Sequence, residues 1–225
     1  MHGPGAVNPS VIITCGVLAT IVAATLAYRR RRELAVQRTW AGRHGWDLEF
    51  RVDDLRDQLD FLQLLRIGHS RRVTRAFKAA GPTYLCEYTF ETGVENRRRR
   101  HSWLIVSRQC DHDFTAATFT SLGWLRDSAR PSAIRVLPIP DTASETGRVA
   151  LVRDEQEWSE RLGAGLGGWM AKQPAARNWD VREGFVVGYE PGKLGDDALT
   201  SLATDSAALA DLLSAPQPCV NTVSS

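Results

Sequence analysis

The chain has 225 residues, of which 43% are apolar and 24% charged, a composition that excludes a disordered tail and a fibrous repeat. Its 28 basic and 26 acidic side chains give a formal charge of +2, which excludes a uniformly basic nucleic-acid binder. The charge is unevenly distributed. Residues 29–110 carry 18 basic and 10 acidic side chains, a net of +8, whereas residues 111–225 carry 10 and 16, a net of −6.

The first element is an apolar run of 18 residues over 11–28, preceded by residues 1–10. At about 1.5 Å per residue, a helix of this length nearly crosses a hydrocarbon core of about 30 Å. Arg29, Arg30, Arg31 and Arg32 follow directly, and the positive-inside rule places such a cluster in the cytoplasm. The sequence therefore predicts a single-pass protein of the cell membrane, with residues 1–10 outside and the body in the cytoplasm.

A cleaved signal peptide and a buried core helix are alternative interpretations of this run. A signal peptide carries its basic residues before the apolar segment, whereas here they follow it. A core helix is disfavoured because the run ends abruptly at a basic block. Small residues at Gly16, Thr20 and Ala24 recur every four positions, a spacing that would also allow two anchors to pair into a homodimer.

The basic segment 29–46 leads into a body that we predict to be one α+β domain over 47–214. Alternating polar and apolar residues over 47–52 predict a short strand. Asp53 and Asp54 are suited to cap a helix through Leu65, because four leucines then recur at helical spacing. These are Leu55, Leu59, Leu62 and Leu65.

Residues 71–109 predict an antiparallel meander with strands at 73–79, 84–91 and 98–108, separated by glycine-containing turns. On the middle strand, alternate residues form an aromatic face that we expect to meet the core, comprising Tyr84, Cys86, Tyr88 and Phe90. The opposite face is expected to meet water or neighbouring strands, and it comprises Leu85, Glu87, Thr89 and Glu91.

The second half predicts an edge strand at 134–139, limited by two prolines, and a short strand at 149–153. Asp154 is predicted to cap a helix that ends at Pro174. A hairpin over 178–190 and a final helix over 196–214 follow, the helix with four inward leucines and then a tail, 215–225, expected to be disordered. The inward leucines are Leu199, Leu202, Leu209 and Leu212.

Two arginine groups are the candidate sites. Arg29 to Arg32 are expected to attract anionic lipid head groups. A possible basic binding face combines two parts of the meander, namely Arg71, Arg72 and Arg75 with Arg97, Arg98, Arg99 and Arg100. For Arg97 to Arg100 the alternative is that they pair with Glu87, Glu91 and Glu95 across the hairpin.

No motif in the sequence indicates catalysis, a metal or a cofactor, and we predict none. Four cysteines without C-x-x-C spacing, Cys15, Cys86, Cys110 and Cys219, predict reduced thiols. The run 110–113 offers adjacent ligand types that rarely converge on one ion. The glycines of 163–168 lie within a helical pattern rather than at a strand-to-helix turn, where a dinucleotide fingerprint belongs.

Several segments carry a family resemblance: AGRHGWDLEF, YLCEYTFETG, RRRRHSWLIVSRQ, RVALVRDEQEW and NWDVREGFVVGYEPGKL. In this order after an N-terminal apolar run, they resemble a group of single-pass membrane proteins of actinobacteria that has no assigned activity. The resemblance implies a bacterial membrane protein and no specific chemistry.

We therefore hypothesise a membrane-anchored cytoplasmic interaction or sensing module with an unknown protein partner and no nucleic acid. The alternatives are a structural subunit of a larger envelope complex and an enzyme whose site is assembled from scattered polar residues. A cavity with convergent groups of shifted pKa would favour the enzyme.

Overall fold

The structure is a computed structural model. It describes residues 9–49, 55, 59, 62–79, 83–94, 97–110, 114–121, 134–139, 147–182, 184–193 and 195–215. The chain divides into two compact units, Met1–Leu48 and Glu49–Ser225. Three parts of the chain lie outside the described residues. They are the first eight residues, the predicted tail beyond residue 215, and most of the segment 53–61 within the helix that was predicted to run through Leu65.

The first unit consists mainly of helix α1, Pro9–Arg43. Within the part of the chain that the structure describes, no helix combines the length and the sustained hydropathy that a bilayer crossing requires. The predictions of a transmembrane helix over 11–28, of single-pass topology and of membrane localisation are therefore wrong.

The second unit is built mainly of strands, as the sequence predicts. Strand β1 (Asp47–Glu49) lies at the boundary between the two units. In the second unit a 3₁₀ turn (Gln63–Arg66) is followed by β2 (His69–Ala79), β3 (Thr83–Thr92), β4 (Arg99–Gln109), β5 (Ala117–Ser121), β6 (Arg135–Pro138) and β7 (Arg148–Val152). Then follow α2 (Glu155–Arg161), a π-helical segment (Leu162–Leu166), α3 (Gly167–Ala171), β8 (Asn178–Arg182), β9 (Phe185–Pro191) and α4 (Asp196–Ser214). The predicted meander, the 178–190 hairpin and the last helix are confirmed.

The strands from β2 onward form one sheet in the order β2-β3-β4-β9-β8-β5-β7-β6. Across the sheet, from β2 at one side to β6 at the other, each pair of neighbouring strands is antiparallel, so the α+β class is confirmed. The pairing of β4 with β9 joins the basic and acidic halves of the sequence in one sheet. Strand β6 lies at the edge, where the sequence predicted a proline-limited strand.

Each face of the sheet carries a core. On one face, here called face A, the aromatic residues of β3 pack against the leucines that precede β2, including Leu55, Leu59, Leu62 and Leu64. The opposite face, face B, is covered by α4, which packs on β4 and β9, and by α2, whose Trp158 ring lies 5.5 Å from that of Phe119. On the last helix Leu213 rather than Leu212 is fully buried.

The second face of β3 departs from the expectation that it meets water. Leu85, Glu87 and Thr89 are buried, because β3 lies inside the sheet between β2 and β4. A guanidinium nitrogen of Arg75 lies 3.7 Å from the Glu87 carboxylate, which supplies the buried charge with an opposite partner.

The helix after β7 begins and changes pitch for local reasons. The Asp154 carboxylate accepts the backbone N–H of Glu157 at 3.0 Å, which confirms the predicted cap. The glycine-rich segment 162–166 adopts a π-helical turn. The sequence therefore identified the capping residue and the helical setting of these glycines, although not the π-helical turn.

A buried arginine ties the hairpin of β8 and β9 to α4. The Nε of Arg177 lies 2.8 Å from the Glu190 carboxylate, and its Nη1 donates to Asp205. Its Nη2 donates to the Ser201 hydroxyl at 3.3 Å. Because the side chain of Arg177 is 3% exposed, this network replaces water around the guanidinium group and holds the helix on face B.

Candidate functional site

The polar residues of four neighbouring strands converge on face A. In the register of the sheet, Thr118 of β5 lies opposite Asp180 of β8 on one side and Leu151 of β7 on the other. Asp180 lies opposite Val187, two residues from Tyr189 on β9. Paired residues, and residues two apart on a strand, project to the same face. The register therefore brings a hydroxyl, a carboxyl and a phenol together.

These residues line a cavity of about 300 Å³, which we call the polar cavity. The 3₁₀ turn contributes Arg66, and the end of β7 contributes Arg153. The described residues of the lining are Arg66, Ala116, Thr118, Ile134, Leu151, Val152, Arg153, Asp180, Arg182 and Tyr189. A volume of this order is at the lower end of the range for small-molecule sites.

Asp180 is the buried acid of the polar cavity, with 3% of its surface exposed. Burial raises the pKa of its carboxyl from 3.8 to about 6. Three interactions act in the opposite direction, namely the hydrogen bond from the Thr118 hydroxyl, the charge of Arg182 and the hydrogen bond from the Tyr189 phenol. Asp180 therefore changes charge close to neutral pH.

Tyr189 is the hydrogen-bonding partner of this acid on β9. Burial raises the pKa of its phenol well above 10, and the neighbouring charge of Asp180 acts in the same direction. The phenol consequently stays protonated at neutral pH and donates to the carboxylate.

Among the described residues that line the polar cavity, three are basic and one is acidic. The basic residues are Arg66, Arg153 and Arg182, which we call the guanidinium trio, and the acid is Asp180. Arginine stays protonated in proteins and presents its donors in a planar fork that matches an oxyanion. The arrangement is chemically suited to hold an anionic group.

The predicted lipid-binding arginines belong to the first unit, whereas the residues of the polar cavity belong to the second. Arg29 to Arg32 are exposed on α1. No described contact tests their role, which stays a prediction.

The arginines of the meander lie at one end of the sheet, on the strands that flank β3. Arg72 lies opposite Thr89, and Arg100 lies opposite Glu91. Arg75 rather than one of Arg97 to Arg100 pairs with Glu87, and Glu91 has His69 as its partner at 3.7 Å. A role of this basic end in binding stays a prediction.

The remaining members of this basic end are exposed. Arg71 donates to the Leu65 carbonyl at 2.9 Å, so it also has a structural contact. Among the described residues, Arg97, Arg98, Arg99 and Arg100 form no ion pair within 4.0 Å. Glu95 lies outside the described residues.

None of the described residues that line the polar cavity was predicted from the sequence to be functional. The alternation of Asn178, Asp180 and Arg182 with apolar neighbours resembles the solvated face of an ordinary strand. The burial of Asp180 depends on segments distant in sequence, so no local signal marked it. Over the described residues no group of three or more His, Cys, Asp or Glu side chains is placed to hold a metal ion.

No family model matches the chain, and no curated protein sequence matches it either. Its fold is similar to that of the mycobacterial trehalose monomycolate transport factor A, TtfA, known from a crystal structure. The TM-score is 0.55 with 15% sequence identity, and the match covers 80% of this chain and 94% of that one. The likeness shows a shared fold.

Proposed function

We propose that this chain is a ligand-binding module that serves lipid transport in a bacterial cell envelope and uses the polar cavity as its ligand site. The observation that carries the proposal is the convergence of Asp180, Tyr189 and the guanidinium trio around one cavity. Buried polar groups are costly unless they are paired, and cavities that collect several of them are the usual sites of ligands.

The cellular setting in this proposal comes from the shared fold. TtfA is described as a transport factor for trehalose monomycolate. A function in the envelope is compatible with both the interaction module and the structural subunit considered from the sequence. The cavity favours the module, because a purely structural subunit has no need of a buried carboxyl whose pKa is about 6.

Filling the cavity tests ligand binding directly. Leu151→Trp adds bulk at a residue of β7 that lines the cavity, and Val94→Trp is the matched control. Val94 follows β3, is 75% exposed and is not among the described residues that line the cavity. Native mass spectrometry of the full chain, purified without denaturant from the bacterium that carries it, should show a bound small molecule in the wild type and the control.

The molecule should be absent from Leu151→Trp. Equal occupancy in all three proteins, or none in the wild type, would contradict the ligand site. For the transport role, deletion of the gene is expected to change the distribution of an envelope lipid, measured by fractionation and thin-layer chromatography. The control gene should restore the distribution and the Leu151→Trp gene should not.

The same cavity favours a second function, acid–base catalysis. A carboxyl group with a pKa of about 6, hydrogen-bonded to a phenol, is placed as a general acid or base would be. Incubation with the co-purified molecule separates the two functions, since a binding module returns it unchanged and an enzyme converts it. Loss of conversion in Asp180→Asn, with binding retained, would assign the catalytic role.

A further inference from the structure

We infer that the polar cavity recognises an oxyanion, such as a sulfate, phosphate or carboxylate group, through its guanidinium trio, and that Asp180 competes with this anion for the same guanidinium groups. The inference rests on the proposed function, because it names the chemical class of the ligand for that site.

The three arginines come from separate segments of the chain. Arg66 comes from the 3₁₀ turn, Arg153 from the end of β7 and Arg182 from the end of β8. Three separate segments thus present guanidinium groups to one space, on a sheet face that is otherwise apolar on its β3 side. Such a convergence of positive charge is stabilised most effectively by a bound anion.

Asp180 lines the same cavity as the three arginines. It shares a strand and a face with Arg182, whose charge it senses, and it lies against Thr118 and Tyr189. Among the described residues, the charged and titratable groups that line the cavity with it are Tyr189 and the guanidinium trio, of which Arg182 acts directly on its carboxyl. When ionised, the carboxylate partly neutralises the trio and repels an anion. When protonated, it does neither and can itself donate a hydrogen bond.

Anion affinity should consequently rise as the pH falls. With a pKa of about 6, Asp180 is protonated in about 3% of molecules at pH 7.5 and in about 90% at pH 5.0. If the anion binds only the protonated form, the apparent affinity increases by about 30-fold over this interval, because it scales with the competent fraction. Some affinity for the ionised form would reduce this ratio.

Sulfate is the appropriate probe because it remains a dianion throughout this pH range, so that any pH dependence belongs to the protein. Equilibrium dialysis of radiolabelled sulfate against the full chain should show tighter binding at pH 5.0 than at pH 7.5, by 10-fold to about 30-fold. Arg153→Gln, at an exposed position, should weaken binding at pH 5.0 by about 10-fold or more. Arg135→Gln is the control, since Arg135 is an exposed arginine of β6 outside the cavity.

Asp180→Asn should bind sulfate at pH 7.5 about as tightly as the wild type does at pH 5.0, with a flat pH profile. Circular dichroism verifies that this variant is folded, and Arg153→Gln provides the test if it is not. Equal weakening by Arg153→Gln and Arg135→Gln, or an unchanged pH profile in Asp180→Asn, would overturn the inference. If sulfate does not bind while a neutral molecule co-purifies in the cavity, the inference falls and the proposed function stands. If neither binds, both fall.

Discussion

Replacing Asp180 by asparagine should stabilise the protein more at neutral pH than in acid. The folded protein raises the pKa of this carboxyl from 3.8 to about 6, so the folded state binds the proton more tightly than the unfolded chain does. The stabilisation from that proton is complete below pH 3.8 and is lost as the pH rises through 6. Asparagine has the same shape and carries no charge at any pH.

The expected magnitude follows from the two pKa values. A difference of about 2 at 1.36 kcal/mol for each pH unit corresponds to about 3 kcal/mol. The free energy of unfolding of Asp180→Asn minus that of the wild type should therefore be larger at pH 7.5 than at pH 3.5, by about 3 kcal/mol at most. Comparing two pH values cancels any difference in hydrogen bonding between asparagine and the protonated acid.

Urea unfolding followed by circular dichroism at pH 3.5, 5.0, 6.0 and 7.5 measures this difference, since the other titrating groups are common to both proteins. Asp211→Asn, at an exposed position of α4, is the control and should show a much smaller change. A difference that stays flat, or that decreases as the pH rises, would refute the reasoning. A decrease would mean that Arg182 and the two hydrogen bonds outweigh burial.

Three further substitutions test the framework, each by urea unfolding. Arg177→Met removes the guanidinium group that binds two carboxylates in the interior, and it should destabilise by about 3 kcal/mol or more, whereas a loss below 1 kcal/mol would show that the network is dispensable. Gly188→Ala places a Cβ 2.6 Å from the Trp179 ring and should cost about 1–3 kcal/mol, while Gly163→Ala, with nothing within 4 Å, should not destabilise comparably. Asp154→Ala should cost about 1 kcal/mol and Asp154→Asn much less, because asparagine can also cap the helix; equal losses would argue against the cap.

The elements that sequence analysis predicted are those whose signal is local. The meander is recognisable because β3 alternates aromatic and polar residues between two glycine-containing turns, and α4 because its leucines recur at helical spacing. The pairing of β4 with β9 joins residues about 80 positions apart and leaves no periodic trace. For the same reason the burial of Glu87 was missed, since it depends on what lies across the sheet rather than along the strand.

The N-terminal prediction failed for a different reason. It treated residues 11–28 as a complete apolar segment and Arg29 to Arg32 as its boundary. In the structure the helix continues without interruption through the arginines to Arg43, and no helix among the described residues is long and apolar enough to cross a membrane. Hydropathy therefore identified a helix correctly, but the predicted membrane crossing is wrong.

The chemistry of the polar cavity depends on the register of the sheet. Thr118 meets Asp180 because β5 and β8 pair in one alignment, and a slip of one residue would bring Trp179 or Val181 to face A instead. The same slip would remove Arg182 from the cavity wall. The site is therefore specified by the complete fold and by these side chains together. At 15% identity the likeness to TtfA shows the shared fold, but it does not show that these side chains are shared. The sulfate and cavity-filling experiments on this chain are consequently the ones that decide its ligand.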